Sequence, residues 1–210
     1  MRSVLVASSK GGAGKTTIAT HLAAAYAVDG KRTALLDADA QGSAFHWCEK
    51  RVGFAHPVLA IDGTRNGWEK RIPSDTERLI IDGPAGAMAA HLSNLLDIVD
   101  AVVVPVQPSA LDIEATVPFL NSLARHPRVA KGKLPIGLVG NRLKPWTLAS
   151  QNAIAAIESW PFPLRARLRD SQCYVLLTGL GKSLFDYGSE QVREHQADWR
   201  PLLRWLKKVG

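Results

Sequence analysis

Residues 9–17 read SKGGAGKTT, a glycine-rich segment that contains two lysines and ends in two threonines. An apolar run at residues 4–7 precedes it, and Ile18, Leu22 and Tyr26 follow it at the spacing of one helical face. A strand, a glycine-rich loop and a helix in this order are the context of a phosphate-binding loop. The segment therefore predicts a site for the phosphate groups of a nucleotide.

Each part of this loop has a physical role in binding phosphate. Glycine lets the backbone turn so that successive N–H groups point at phosphate oxygens, and the helix N-terminus adds partial positive charge. We expect Lys15 to reach the β- and γ-phosphates, the Thr16 hydroxyl to ligate Mg²⁺ and Thr17 to contact the α-phosphate. The residues whose backbone is expected to line the phosphates are Gly11, Gly12, Ala13 and Gly14.

The flanking sequence predicts an α/β fold. Short apolar runs alternate with helix-length segments, and the runs are uninterrupted, as in strands buried on both faces of a parallel sheet. We predict a mostly parallel central sheet with helices on both faces, formed by residues 1–210 as a single domain. In such sheets, ligands bind at the carboxyl ends of the strands. The predicted strands are residues 4–7, 33–36, 58–61, 79–81, 101–104 and 134–139.

Composition excludes several classes of protein. The chain has 210 residues, of which 46% are hydrophobic and 21% are charged, so it has enough apolar mass for a core and is not expected to be disordered. Its apolar runs are too short to span a bilayer, and residues 1–9 do not resemble a signal peptide. The two distant cysteines support neither a disulfide framework nor a zinc site, which favours a cytoplasmic location.

Two acidic segments extend the predicted site. Residues 35–43, LLDADAQGS, place Asp37 and Asp39 at the end of a strand, and period-two spacing puts both side chains on the same side. Taken alone, the pair is more typical of turn and helix-capping aspartates. Residues 78–86, RLIIDGPAG, form an apolar strand that ends in Asp82, which we expect to hold Mg²⁺ through water. The Gly-Pro turn that follows is expected to be a nucleotide-sensing switch.

The first motif departs from the common phosphate-binding pattern. Ser9 stands where the first glycine is usual, and Lys10 follows it directly. This resembles the deviant Walker A motif of the ParA/MinD family of P-loop ATPases, which implies that Lys10 reaches across a dimer interface to the partner's nucleotide. Residues 35–43 resemble the family's D-x-D-P-Q-G motif, with Ala40 in place of proline. The resemblance implies that Asp39 positions the attacking water and that Asp37 supports the Mg²⁺ shell.

Further segments extend the resemblance. Residues 137–142, GLVGNR, are similar to the family's adenine-side strand, where Asn141 would bond the base beside Arg142; a strand-end turn is the alternative role for Asn141. The chain is most similar to short ParA proteins that lack an N-terminal helix-turn-helix. The resemblance implies an ATP-bound homodimer that binds DNA nonspecifically, associates with the nucleoid and hydrolyses ATP slowly until an adaptor protein stimulates it. Its cargo would be a plasmid, a chromosome or another cellular body.

The basic residues support the expectation of DNA binding. The formal net charge is +7, and residues 164–169, LRARLR, alternate so that leucines and Ala166 face one way and three arginines the other. Such groups suit contact with DNA phosphates, although a solvated basic face is the alternative. Two other groups of basic residues are Arg125, Arg128, Lys131 and Lys133, and Arg193, Arg200, Arg204, Lys207 and Lys208.

Two other functions fit the same motifs. Residues 202–209 are basic and amphipathic, as in a MinD-like ATPase that binds membrane, but such a helix more often packs its leucines and tryptophans on the sheet. Membrane binding is therefore not favoured. An ATP-dependent metabolic ligase on this scaffold would need a small-molecule pocket beside the γ-phosphate, and no sequence feature identifies one.

Overall fold

A seven-stranded sheet, parallel throughout, forms the centre of the protein in the order β3-β2-β4-β1-β5-β6-β7. The computed structural model describes residues 1–209, with Ala89 and Ala90 described by their backbone. The strands are β1 Arg2–Val6, β2 Thr33–Asp37, β3 Leu59–Asp62, β4 Arg78–Asp82, β5 Ala101–Val106, β6 Ile136–Leu143 and β7 Leu164–Arg169. The helices are α1 Lys15–Val28, α2 Ser43–Arg51, α3 Ser93–Ile98, α4 Ala110–Ala124, α5 Pro127–Ala130, α6 Leu148–Glu158, α7 Gln172–Gly179 and α8 Glu190–Lys208.

The predicted α/β architecture is confirmed. The six predicted strands correspond to β1–β6, and helices cover both faces of the sheet. Neighbouring residues of β1 show the two-sided burial: Val4 and Val6 pack with α1 and α8, whereas Leu5 packs on the opposite side with α4 and α6. Burial on both faces explains why the strands are runs of apolar residues and do not alternate with polar ones.

Helix α1 lies in the interior. Ten of its 14 residues are buried, including Ile18, Leu22 and Tyr26 on the predicted apolar face. Small alanines occupy several of the other positions, which lets neighbouring elements approach the helix closely. Because α1 begins directly after the phosphate-binding loop, its burial fixes the position of that loop relative to the sheet.

The predicted alternation in residues 164–169 is wrong in detail. A β-bulge interrupts the pairing of β7 with β6, so that Leu138 pairs with Leu164 but Val139 pairs with Ala166. Leu164 therefore packs on the α6 side of the sheet, whereas Ala166 and Leu168 pack on the α8 side. The extra residue of a bulge shifts the register by one and reverses the faces that follow it.

The arginines of β7 do not form a free basic face either. The Arg165 guanidinium lies 5.1 Å from the centre of the Trp205 ring. Arg167 forms an ion pair with Glu158, and Arg169 forms one with Asp198 at 2.9 Å. In the second predicted basic group, Arg128 donates hydrogen bonds to two carbonyl oxygens at the end of α3. These arginines make contacts within the chain that are not evident from the sequence.

Helix α8 continues through Pro201 without ending there. Its apolar side, formed by Trp199, Leu202, Trp205 and Leu206, is buried against the sheet. The apolar side chains of residues 202–209 therefore pack on the sheet, which was the alternative to membrane binding. Within residues 1–209, no helix has both the length and the apolar composition required to cross a bilayer.

Candidate nucleotide-binding site

The phosphate-binding loop connects the end of β1 to the first residue of α1. Gly12 and Gly14 have φ angles of 79° and 93°, in the left-handed region that side chains other than glycine rarely adopt. Space is also restricted at Gly14, because a Cβ atom there would lie 2.2 Å from the Nδ2 atom of Asn141. The conformation of the loop therefore requires the glycines that the sequence motif provides.

Residues of β6, of the segment after β5 and of α4 hold the loop from the side. The Asn141 side chain, at the end of β6, donates a hydrogen bond from Nδ2 to the Ala13 carbonyl at 2.8 Å. Gln107, after β5, donates from its amide to the Gly12 carbonyl, and the Ser9 hydroxyl donates to the Ala115 carbonyl at 2.9 Å. These supporting contacts are not evident from the sequence. These bonds hold the Ala13 and Gly12 carbonyls and the Ser9 side chain, so contacts within the chain fix the conformation of the loop.

The two lysines of the motif occupy different environments. Lys15, at the start of α1, is 6% exposed, as expected for a group that works inside the loop. The Lys10 side chain is 44% exposed and lies 3.4 Å from Asp112. One lysine is thus enclosed by its own subunit, whereas the other stands at the mouth of the loop, where a second molecule has access to it.

Thr16 and Asp82 form the part of the site that fits a divalent cation. The Thr16 hydroxyl donates to Oδ2 of Asp82 at 2.6 Å, and Oδ1 of Asp82 is buried without a hydrogen-bond partner. Burial, with the charges of Asp37 and Asp39, raises the pKa of Asp82 to about 7, against the effects of the Thr16 bond and Lys15. A hydroxyl and an unsatisfied carboxylate oxygen are hard oxygen ligands, which Mg²⁺ prefers.

Asp37 organises the turn that follows β2. Its carboxylate accepts hydrogen bonds from the backbone N–H groups of Asp39 at 3.0 Å and Phe45 at 2.8 Å. Burial raises its pKa, and these bonds oppose the increase. The predicted period-two relation between Asp37 and Asp39 does not apply, because β2 ends at Asp37 and Asp39 lies in the turn. Support of the Mg²⁺ shell by Asp37 stays a prediction.

Asp39 connects two loops at the carboxyl edge of the sheet. Its carboxylate accepts hydrogen bonds from the backbone N–H groups of Gln41 and Ala85, each at 3.0 Å. The loop after β4 is close to β1, since a Cβ atom at Gly83 would lie 2.8 Å from the Val6 carbonyl oxygen. Orientation of the attacking water by Asp39 stays a prediction.

The end of β6 contains the residues predicted to contact adenine. Asn141 is buried and bonds the phosphate-binding loop, a contact that the adenine prediction did not include. Arg142 is exposed, and its φ of 53° is the only positive value among the non-glycine residues that the structure describes. Such a conformation is uncommon and concentrates at functional sites. The contacts of both side chains with adenine stay predictions.

Comparisons with known proteins agree with this geometry. Residues 4–175 match the family model described as the CobQ/CobB/MinD/ParA nucleotide binding domain. Maintenance of carboxysome distribution protein A from Gloeobacter kilaueensis is 30% identical, over 99% of this chain and 94% of that protein. The protein of the same name from Halothiobacillus neapolitanus is also 30% identical, over 88% of this chain and 87% of its own length.

A solved structure shows the same fold. The plasmid partition protein of Borrelia burgdorferi bound to AMPPNP superposes with a TM-score of 0.73, covering 97% of this chain and 98% of that one at 16% identity. The resemblance drawn from residues 9–17 and 35–43 is confirmed. With its glycine-rich loop, its second lysine and a match over most of its length, the chain belongs to the ParA/MinD group of the CobQ/CobB/MinD/ParA nucleotide-binding domain family.

Proposed function

We propose that the protein is a ParA-type positioning ATPase that dimerises when it binds ATP and Mg²⁺. The observation that carries this proposal is the exposure of Lys10 beside the buried Lys15. Two nucleotides that meet across a dimer interface bring their phosphates close together, and the repulsion between them needs cations from both subunits. An exposed ammonium at the mouth of the phosphate-binding loop can supply one of these cations.

Nucleotide binding in this proposal uses the residues of the loop. The backbone from Gly11 to Gly14, together with Lys15 and Thr17, would bind the phosphates, and Thr16 and Asp82 would hold Mg²⁺. When bound, Mg²⁺ supplies charge neutralisation at the β- and γ-phosphate oxygens. The unpartnered oxygen of Asp82 supports this assignment.

Hydrolysis requires a water molecule aligned with the γ-phosphate. Asp39 is proposed to orient this water, because its carboxylate is fixed by the N–H groups of Gln41 and Ala85. Phosphoryl transfer depends mainly on alignment and charge neutralisation, and sites that lack an additional cationic group are slow. An adaptor protein is therefore proposed to accelerate turnover.

DNA binding is proposed for the exposed side of α8. Four basic residues recur there at a spacing that keeps them on one face, opposite the buried apolar side. None of the four forms an ion pair within residues 1–209. They are Arg193, Arg200, Arg204 and Lys208, and we call them the α8 basic stripe. Unpaired cations on one face suit sequence-independent contact with phosphates, and would hold the protein on the nucleoid.

The cargo is proposed from the relatives. Two relatives that are 30% identical over most of their length are named for carboxysome distribution, and one structural neighbour is a plasmid partition protein. We infer that this chain positions a large intracellular body of this class through its adaptor protein. The membrane alternative has less support, because the apolar side of α8 is packed on the sheet.

ATP-dependent dimerisation tests the proposal. The purified chain is mixed with Mg²⁺ and a non-hydrolysable ATP analogue, and its mass is measured by light scattering. We expect wild type to dimerise and Lys10→Ala to stay monomeric while it still binds the analogue. Lys70→Ala removes an exposed lysine elsewhere and is expected to dimerise like wild type. Dimerisation of Lys10→Ala at wild-type concentrations would contradict the proposal.

A further inference from the structure

Lys10, whose ammonium group the proposed dimer requires, forms an ion pair with Asp112. The Lys10 Nζ atom lies 3.4 Å from an Asp112 oxygen, and the Asp112 side chain is only 14% exposed. Both residues belong to the same subunit. Within one subunit, the lysine ammonium is thus paired with a carboxylate of α4, although the side chain stays 44% exposed.

The carboxylate of Asp112 is held in place by its own helix. Asp112 lies in the first turn of α4, where its backbone N–H donates to the Ser109 hydroxyl oxygen at 3.1 Å. The Ser109 hydroxyl in turn donates to the Asp112 carboxylate. The acceptor for Lys10 is therefore a fixed group with little rotamer freedom to lose on pairing.

The lysine is held near that carboxylate through its backbone. The hydroxyl of Ser9, one residue before Lys10, donates to the Ala115 carbonyl of α4, and the Ser8 hydroxyl donates to the Lys10 carbonyl. The Ser9 bond joins the loop to α4 beside the ion pair, whereas the Ser8 bond fixes the backbone of Lys10 within the loop. The pair is thus part of a built contact between the phosphate-binding loop and α4.

We propose that Asp112 is a positioning residue that holds Lys10 within its own subunit until ATP-dependent dimerisation draws the lysine to the partner's nucleotide. The inference rests on the proposed function, since it assumes that Lys10 acts across the interface. The free energy required to break the ion pair then opposes dimer formation. A half-exposed ion pair is weak, so it biases the equilibrium and does not block it.

The dimer dissociation constant measures this bias. Sedimentation is performed with Mg²⁺ and a non-hydrolysable ATP analogue on wild type, Asp112→Asn and Asp112→Glu. We expect Asp112→Asn to lower the dissociation constant roughly two- to thirtyfold, because two such pairs break per dimer and each contributes up to about 1 kcal/mol. Asp112→Glu keeps the charge and is expected to restore the wild-type value. Glu114→Gln removes an exposed charge from the same helix and is expected to have no effect.

A chemical readout reports on the pair itself. The acylation rate of the Lys10 amine is measured by mass spectrometry in the nucleotide-free protein, where pairing with a carboxylate slows the reaction. We expect faster acylation in Asp112→Asn than in wild type and Asp112→Glu, with Lys70 unchanged as an internal reference. An unchanged Lys10 rate, or an unchanged dissociation constant despite a faster rate, overturns the inference. A different result would contradict the proposed function itself: dimerisation of Lys10→Ala at wild-type concentrations.

Discussion

The Asp39 carboxylate accepts a hydrogen bond from the backbone N–H of Ala85 at 3.0 Å, which joins the turn after β2 to the loop after β4. The first of these loops carries the group proposed to orient water, and the second lies beside the expected position of the γ-phosphate. The bond therefore links the positions of the two loops. The response of the loop after β4 to the terminal phosphate stays a prediction.

Asp39→Ala is expected to abolish hydrolysis without loss of nucleotide binding. The alanine cannot orient water, so we expect ATP turnover to fall by roughly 100-fold or more, a magnitude typical of removing a positioned catalytic group. Phosphate release measures turnover, and light scattering with ATP and Mg²⁺ measures the dimer. The dimer is expected to accumulate, because the step that dissolves it is lost. If this variant stays monomeric with ATP, Asp39 has another role.

Asn141→Ala tests the support of the phosphate-binding loop. The variant loses the hydrogen bond to the Ala13 carbonyl and leaves that carbonyl without its buried partner. We expect ATP affinity to weaken roughly tenfold, since such a loss costs about 1–2 kcal/mol. Calorimetric titration with ATP measures the change, and Asn152→Ala, an exposed position on α6, is the control. Equal affinity of the two variants would show that the loop does not depend on this contact.

The sequence predicted the parts of the molecule that depend on local pattern. Uninterrupted apolar runs identified β1–β6, and the glycines identified a loop whose left-handed residues the structure contains at Gly12 and Gly14. The bulge in β7 was missed, because an alternating sequence does not reveal a one-residue shift in pairing. The bond between Asn141 and Ala13 joins residues 128 positions apart, and no local signal encodes such a contact.

Asp82→Asn tests two separate properties, the binding of Mg²⁺ and the stability of the fold. Asparagine still accepts the Thr16 hydroxyl bond but carries no charge, so Mg²⁺ is expected no longer to strengthen ATP binding. Burial penalises the carboxylate, as its raised pKa of about 7 indicates, and the nucleotide-free variant is expected to unfold at or above the wild-type temperature. Nucleotide titration with and without Mg²⁺ and thermal unfolding provide the two measurements. Glu69→Gln, at an exposed carboxylate, is the control.

The α8 basic stripe predicts a defined salt dependence of DNA binding. The double variant Arg200→Ala, Arg204→Ala removes two unpaired cations from the exposed face. Each phosphate contact contributes about −0.9 to the slope of log affinity against log salt, so the slope is expected to become shallower by about 2 for this variant. The ATP-bound protein is titrated with duplex DNA of arbitrary sequence at several salt concentrations. Arg125→Ala is the control, and an equal change in that variant would indicate that α8 is not the DNA-binding surface.

Because of the buried His21, we expect the free energy of unfolding to fall in mild acid. His21 is fully buried in α1, its ring stacks on Trp199, and Nδ1 donates to the Thr17 carbonyl at 2.9 Å while Nε2 has no partner. Burial lowers its pKa to about 4 from 6.5. The unfolded chain therefore binds a proton at higher pH than the folded one, and the free energy of unfolding falls as pH decreases through the interval between these values. Between about pH 7.5 and pH 5 this residue is expected to account for a loss of about 2 kcal/mol.

Urea unfolding measures the loss in wild type and in His21→Gln, which keeps a donor for Thr17 but does not titrate. We expect the glutamine variant to lose about 2 kcal/mol less than wild type over this range, whereas His56→Gln, at an exposed histidine, keeps the wild-type dependence. Identical pH dependence in all three proteins would mean that another group causes the loss.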